Sequence, residues 1–185
     1  MTTSEQDKAL VERVKQGDTW AFENLVNKYK DDAYSLACSI VKDPVLAEDV
    51  LQEVLITVFD KISGFRYQSA FYTWLYRMVV NRCFNEIRKK KHLTDDWIEG
   101  VSEDDEAAAL TNMNDLKNMV NTALKLMKPD EALVLRLFYL NELSIEESMK
   151  VSGFSKSKTK VTLHRGRKSF AEIMKSKFGK EIDDI

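Results

Sequence analysis

The segment SAFYTWLYRMVVN, residues 69–81, combines aromatic, aliphatic and basic side chains in a pattern of helical period. Four apolar side chains recur at intervals of three and four and should share one helical face: Phe71, Trp74, Leu75 and Met78. We expect a helix over about residues 70–91, with this face in a core. Pro and Gly are scarce, at 2 and 6 of 185 residues, and no stretch alternates apolar and polar residues as a strand does. The sequence predicts an all-α protein.

Two helical segments precede this one, on either side of Asp43-Pro44. The first has its apolar residues spaced by three and four between Phe22 and Ile40, and the proline then ends the periodicity. The second is predicted over about residues 45–62 and ends before Ser63-Gly64. Its predicted buried stripe consists of Leu46, Val50, Leu51, Val54, Val58 and Phe59.

The opposite face of this second helix is acidic around one apolar residue. It carries Asp49, Gln52, Glu53 and Ile56. Such a face suits a basic protein partner better than nucleic acid, because opposite charges steer association. A plain solvated helix face has the same composition, so both interpretations stay open here.

Aromatic and basic residues interleave from Phe65 to the basic run at 88–91. Aromatic rings can stack on unpaired bases while cations follow the backbone, which is the usual chemistry of single-strand capture. The loop FRYQSA, residues 65–70, together with the helix that follows it, could build a pocket for a flipped base. For any single aromatic residue, however, packing in the core is the commoner outcome.

The charge of the chain is segregated, although its formal total is only −2. Residues 150–180 hold ten basic side chains and one acid, whereas residues 93–128 hold three basic side chains and eight acids. Residues 93–112 also lack helical periodicity, so we predict an acidic linker there. From composition alone, this linker could be no more than a flexible, solvated tether between the two helical domains.

The C-terminal third has the pattern of a helix-turn-helix. SIEE, residues 144–147, has the form of a capping box, Gly153 fits a tight turn, and Ser155 can cap the next helix. On that helix Thr159, Leu163, Gly166 and Phe170 should face inward, and Lys160, Val161, His164, Arg165 and Lys168 should face outward. An outward basic face of this kind can enter the major groove. The alternative is a solvated basic helix on an ordinary bundle.

Several segments resemble extracytoplasmic-function (ECF) RNA polymerase sigma factors. GDTWAFENLVNKY (17–29), DPVLAEDVLQEVLITVFDKISGF (43–65) and SAFYTWLYRMVVN (69–81) are similar to the second region of that family, in order and spacing. LHRGRK (163–168) is similar to the end of the recognition helix in its fourth region. The chain departs from the family at Tyr67 and Gln68, at Ser148, Met149 and Ser152, and at Thr159 and Gly166. Gly166 inside a helix should cost about 1 kcal/mol relative to Ala.

The resemblance implies a division into region 2 (1–92), the linker (93–112) and region 4 (113–185). It implies that Asp49, Gln52, Glu53 and Ile56 bind the β′ clamp of core RNA polymerase. The residues it implies for opening and reading the promoter −10 element are Phe65, Arg66, Tyr67, Gln68, Ser69, Ala70, Phe71, Trp74, Arg77 and Asn81. Those it implies for the −35 duplex are Lys156, Lys158, Lys160, Val161, His164, Arg165 and Lys168. Region 4 should also contact the β flap, and an anti-sigma factor is an expected partner.

No enzyme, metal site or cofactor is predicted. Carboxylates and Cys/His pairs lack catalytic or ligand spacing, and Cys38 and Cys83 are expected to be buried reduced thiols. The N-terminus lacks an apolar signal core and no apolar run approaches the ~20 residues of a membrane span, so we expect a cytoplasmic protein. Two rival functions remain: a stand-alone helix-turn-helix regulator, and a sigma-like adaptor that binds only proteins.

Overall fold

A computed structural model describes residues 5–94 and 113–182, and it defines side-chain surroundings in residues 5–90 and 116–179. Within these ranges the chain is helical and contains no strand, which confirms the predicted fold class. A 3-10 turn, Ile62–Gly64, separates α4 from the loop before α5. The helices are α1 Glu5–Lys15, α2 Thr19–Asn27, α3 Lys30–Val41, α4 Pro44–Lys61, α5 Phe71–Thr94, α6 Met113–Leu126, α7 Pro129–Tyr139, α8 Ile145–Ser152 and α9 Lys156–Ile182.

Local capping chemistry explains where these helices begin. Asp43 accepts hydrogen bonds from two amides in the first turn of α4, next to Pro44 at the first helical position. Ser144 and Glu147 form the predicted capping box of α8, and Gly153 ends that helix with φ +73°. The Ser155 hydroxyl accepts from the amide of Lys158 and so starts α9 as predicted.

The main core is formed by α1 to α5 and is extended by α7 and α8. Residues 132–137 of α7 are buried all round the helix. One side of α7 contributes Leu133 and Leu137 to the main core, and the other contributes Ala132 and Leu135 to a smaller cluster with α6 and α9. The predicted N-terminal and C-terminal halves are therefore packed together, an arrangement that the sequence did not predict.

Phe59 and Cys38 are less buried than predicted. Phe59 was assigned to the buried stripe of α4, but its side chain is 48% exposed. Its ring packs nearly perpendicular to the half-buried ring of Phe22, with 5.0 Å between the centroids. Both cysteines are free, with Cys83 buried and Cys38 half-buried. All but the first two residues of the predicted linker, residues 93–112, lie outside the described part of the chain.

Candidate nucleic-acid and protein interfaces

Buried side chains, most of them aromatic, support the loop at 65–70 from below. Phe65, Ala70 and Phe71 lie in the core. The Phe65 ring packs 5.0 Å from the Trp74 ring and 6.2 Å from the Phe71 ring. In this conformation these three buried side chains shape the loop from inside and offer no surface for stacking on a base. These three residues were predicted to contact the −10 element, but in this conformation they can only support the loop.

The accessible members of the predicted −10 set form a strip from the loop along α5. Arg66 and Gln68 are exposed in the loop, and Arg77 and Asn81 are exposed on the helix. Trp74 and Ser69 are half-buried beside them. Because positions 74, 77 and 81 are three and four apart, their side chains share one helical face. The strip combines the Trp74 ring, two cations and two side-chain amides, a composition that suits binding to unpaired nucleic acid.

Tyr67 does not belong to this strip, although the sequence placed it among the DNA contacts. Its hydroxyl donates a hydrogen bond of 2.5 Å to Glu12 of α1. Burial and the bond to the Glu12 carboxylate raise the pKa of the Tyr67 hydroxyl. The side chain is thus directed at α1, a helix for which the sequence had predicted no role.

The acidic face of α4 is exposed as predicted. Asp49, Gln52 and Glu53 surround Ile56, whose side chain is 64% exposed. The exposed ring of Phe59, one turn further on, extends the apolar centre. Glu53 also pairs with Arg82 of α5, which in turn lies 3.0 Å from Glu86. The result is an apolar patch with a carboxylate rim, the pattern expected of a protein interface.

The basic face of α9 is exposed, and Lys168 on it lies 3.9 Å from Glu172 one turn further on. Thr159, Leu163 and Gly166 are buried and Phe170 is half-buried, whereas the five residues predicted to face outward are all exposed: Lys160, Val161, His164, Arg165 and Lys168. At the start of the helix Lys156 and Lys158 pair with Glu146 and Asp130, at 3.3 Å and 2.9 Å. Arg165 has no ion pair within the described part of the chain.

Gly166 allows α9 to approach α7 closely. A Cβ at this position would lie 3.2 Å from the carbonyl oxygen of Glu131 and 3.4 Å from Leu135 Cδ1. One turn on, the Ser169 hydroxyl donates to Glu131 Oε2 at 2.7 Å. From the sequence we predicted that Gly166 faces inward and destabilises the helix, but not that it packs this closely against α7. The structure assigns it a packing role.

The two halves meet through polar as well as apolar contacts. The Tyr72 hydroxyl of α5 donates to Glu147 Oε1 of α8 at 2.5 Å, while Glu147 Oε2 accepts from Ser144 in the capping box. Burial raises the pKa of Glu147, but the hydrogen bonds from Tyr72 and Ser144 outweigh it and lower that pKa to about 2. Lys42 at the end of α3 donates to the carbonyl oxygen of Met127 at 2.9 Å.

Arg136 of α7 lies inside this junction and is 6% exposed. Its Nε has no hydrogen-bond partner among the described residues. Burial lowers the pKa of its guanidinium, and the charge of Asp32 on α3 opposes that shift. Burying this cation carries a desolvation cost, which opposes the stability gained from apolar packing at the junction. A single arginine in an apolar helix gives no local sign of such a position.

The described residues contain no cluster of three or more His, Cys, Asp or Glu that could hold a metal ion. None of the helices in the described ranges is both long enough and apolar enough to cross a membrane.

Comparison with known proteins identifies relatives that match part or nearly all of the chain. Residues 25–93 match the family model for Sigma-70 region 2. The chain is 30% identical to the ECF RNA polymerase sigma factor SigW of Bacillus subtilis, over 91% of this chain and 96% of SigW. It is 46% identical over 87 residues to the RNA polymerase sigma-H factor of Pseudomonas aeruginosa, a match that spans 47% of this chain and less than half of that protein, 45%.

Two solved structures are similar in fold. CnrH, in complex with the cytosolic domain of CnrY, superposes with a TM-score of 0.68 at 18% identity, covering 94% of this chain and 99% of CnrH. RpoE of Bartonella quintana, in complex with the anti-sigma factor NepR, gives a TM-score of 0.66 at 21% identity, covering 84% of this chain and 98% of RpoE.

Proposed function

The chain belongs to the ECF RNA polymerase sigma factors, which direct transcription initiation, and on that basis we propose that it joins core RNA polymerase and reads promoters through −10 and −35 elements. The observation that carries this proposal is the coexistence of three separate exposed surfaces. They are the acidic apolar face of α4, the aromatic and polar strip on the loop and α5, and the basic face of α9.

The α4 face is the proposed contact for the β′ clamp. Ile56 would be buried by the partner, while Asp49 and Glu53 would meet basic side chains at the rim. Burial of the apolar centre contributes affinity, and the charged rim contributes orientation and association rate. Region 4 is the proposed contact for the β flap.

The strip on the loop and α5 is the proposed site for the −10 element. Unstacking a base costs a few kcal/mol, which stacking on an aromatic ring and contacts to the backbone can offset. Trp74 supplies the aromatic ring, Arg66 and Arg77 supply charge, and Gln68 and Asn81 can hydrogen-bond to a base. No covalent step is needed.

The basic face of α9 is the proposed site for the −35 duplex. Lys160, Arg165 and Lys168 can reach phosphates and base edges from the major groove, with Val161 and His164 between them. Because phosphate contacts release counterions, affinity should fall steeply as salt rises.

A protein partner that sequesters the chain is also proposed. CnrH and RpoE, the two similar folds, were solved with the cytosolic domain of CnrY and with the anti-sigma factor NepR. A partner of that kind would act on this chain in the cytoplasm, where we place its work with the polymerase.

The deciding experiment is transcription in vitro by core polymerase with and without the protein, on a genomic promoter library. Transcripts that start at defined promoters only in its presence are expected. Their absence with active core polymerase would refute the sigma function. Tight promoter binding without polymerase would favour a stand-alone regulator instead.

The α4 contact has its own test in core binding. Asp49→Lys and Glu53→Lys together should abolish binding to core polymerase, because they reverse the charge of the rim. Glu48→Lys, on the flank of the same exposed helix, is the matched control and should bind normally. Unchanged binding of the double variant would remove α4 from the interface. Since Glu53 pairs with Arg82, circular dichroism should first confirm that the variant is folded.

A further inference from the structure

Tyr67 has a backbone conformation that bulky residues rarely adopt. Its φ is +57°, in the left-handed region that favours glycine. Among the described non-glycine residues only Lys42 and Glu142 share a positive φ, and Lys42 has the common place of a helix C-cap. Tyr67 lies instead in the middle of the loop proposed to capture DNA. Strain of this kind persists where surrounding contacts enforce it, and it concentrates at functional sites.

The contacts that enforce this conformation come mainly from α1. The Tyr67 hydroxyl bonds to Glu12 Oε1, and Lys15 Nζ lies 4.5 Å from the centre of the Tyr67 ring. Lys15 also donates to the same Glu12 oxygen at 3.2 Å. From the other side, the buried Phe65 ring meets the Tyr67 ring edge-on at 5.0 Å. The side chain is therefore held at its hydroxyl, on its face and at its edge.

This arrangement decides what the loop presents to solvent. Because the Tyr67 side chain is directed at α1, its neighbours Arg66 and Gln68 are both exposed. Helix α1 is itself anchored, since Val11 and Val14 are buried in the main core. The Tyr67 side chain thus ties the middle of the loop to α1, while the buried Phe65 and Ala70 anchor its two ends.

We propose that Glu12, Lys15 and Tyr67 form a positioning clamp, the α1 clamp, for capture of single-stranded DNA. The clamp holds the loop in the shape that offers Arg66 and Gln68 to the strand, and it makes α1 part of the site without contacting DNA. This inference rests on the proposed −10 function of the loop. It gives Tyr67 a role in place of the direct contact predicted from sequence.

The clamp can be tested without DNA, because trypsin cleaves after Arg66. In the full-length protein, Tyr67→Phe and Glu12→Ala should each speed cleavage at this bond by about threefold to tenfold, the equivalent of one lost hydrogen bond. Combining them should add little, since both remove the same bond. Tyr29→Phe is the matched control: it removes a 2.6 Å bond between the Tyr29 hydroxyl and Asp7 of α1 without touching the loop. Cleavage at the wild-type rate in both clamp variants would overturn the clamp.

A glycine variant separates the backbone from the side chain. Tyr67→Gly adopts the positive φ without strain but lacks the ring and the hydroxyl. The clamp predicts fast cleavage after Arg66 in this variant too. If Tyr67→Gly kept the wild-type rate, the backbone conformation alone would hold the loop and the proposal would be wrong.

The link to DNA is tested with core polymerase bound to each variant. The probe is a fluorescein-labelled single-stranded DNA pool with ten randomised positions, and a labelled duplex pool is its control. Tyr67→Phe and Glu12→Ala should weaken binding to single-stranded DNA by about threefold to tenfold and leave binding to core polymerase unchanged. Faster cleavage with unchanged single-strand affinity would overturn the link to DNA. A wild-type protein that captures no single strand would instead refute the proposed function of the loop, while the cleavage rates would still report on the clamp.

Discussion

The two proposed DNA-reading elements, α5 with its loop and α9, are anchored in different ways. Helix α5 is embedded in the main core by large side chains such as Phe71 and Leu75, and its loop is tied to α1. Helix α9 packs on a smaller cluster, and Gly166 on its inner face allows it to lie close to α7. In the proposed division of labour, the loop that opens DNA is therefore the more firmly held element, and the helix that binds duplex DNA presents its basic face on a smaller core.

The largest difference should appear when an equivalent side chain is removed from each anchor. Phe71→Ala should lower the free energy of unfolding by about 3–5 kcal/mol, because Phe71 is fully buried in the main core. Phe170→Ala on α9 should cost clearly less, since that ring is half-buried in the smaller cluster. Urea unfolding followed by circular dichroism measures both values. Equal losses in the free energy of unfolding would show that α5 and α9 are anchored equally firmly.

The next effect concerns the reading faces. If Arg165 contacts a base, Arg165→Ala should weaken binding to the −35 duplex by about 1–3 kcal/mol. If it contacts a phosphate, the same substitution should reduce the slope of log affinity against log salt concentration by about one. Arg77→Ala should leave duplex binding intact and weaken capture of unpaired DNA. Fluorescence anisotropy of the holoenzyme with duplex and pre-melted promoters at several salt concentrations separates these outcomes. A variant that impairs both probes equally would contradict the division of labour between α5 and α9.

The close approach of α9 to α7 gives a smaller effect. Gly166→Ala gains helix propensity of up to about 1 kcal/mol, but its new Cβ would lie 3.2 Å from a backbone oxygen that cannot move aside easily. We expect no net gain in the free energy of unfolding, and a loss if the helices separate. Gly179→Ala on the same helix is the matched control, because nothing lies within 4 Å of its Cβ, and it should be neutral or stabilising. A stabilised Gly166→Ala variant would show that α9 is loosely packed.

Local patterns predicted much of this architecture. The capping box at Ser144 and Glu147, the start of α7 at Pro129 and the outward face of α9 all follow from spacings within one or two helical turns. The exposed face of α4 was predicted for the same reason. The prediction that Phe59 is buried was wrong, because periodicity places a residue on a stripe but does not show where the neighbouring helices end.

The contacts that the sequence did not predict join residues far apart in the chain. Tyr67 and Glu12 are 55 positions apart, and Tyr72 and Glu147 are 75 apart. A tyrosine among other aromatic residues is equally compatible with stacking on a base and with a hydrogen bond to a distant helix. Only the packing of the helices decides between them, and the burial of Arg136 between the two halves depends on the same packing.

A further effect lies at the junction between the halves and depends on pH. The pKa of Glu147 falls from an ordinary 4.5 to about 2, because hydrogen bonds from Tyr72 and Ser144 outweigh the effect of burial. A lowered pKa in the folded state means that the Glu147 carboxylate stabilises the fold fully above pH 4.5 and loses this contribution as the pH falls toward 2. The wild-type protein should therefore lose stability between these values through this group.

Glu147→Gln removes the ionisation and should flatten that part of the pH dependence. Tyr72→Phe should flatten it partly, because the capping-box bonds from Ser144 remain. Urea unfolding at pH 7 and pH 3 gives the two free energies for each protein, and the difference between them is the quantity to compare. If all three proteins lost the same free energy on acidification, the contact between Glu147 and Tyr72 would not link the two halves in solution. The junction would then depend on its other contacts, among them the packing of Leu133 and Leu137 of α7 in the main core.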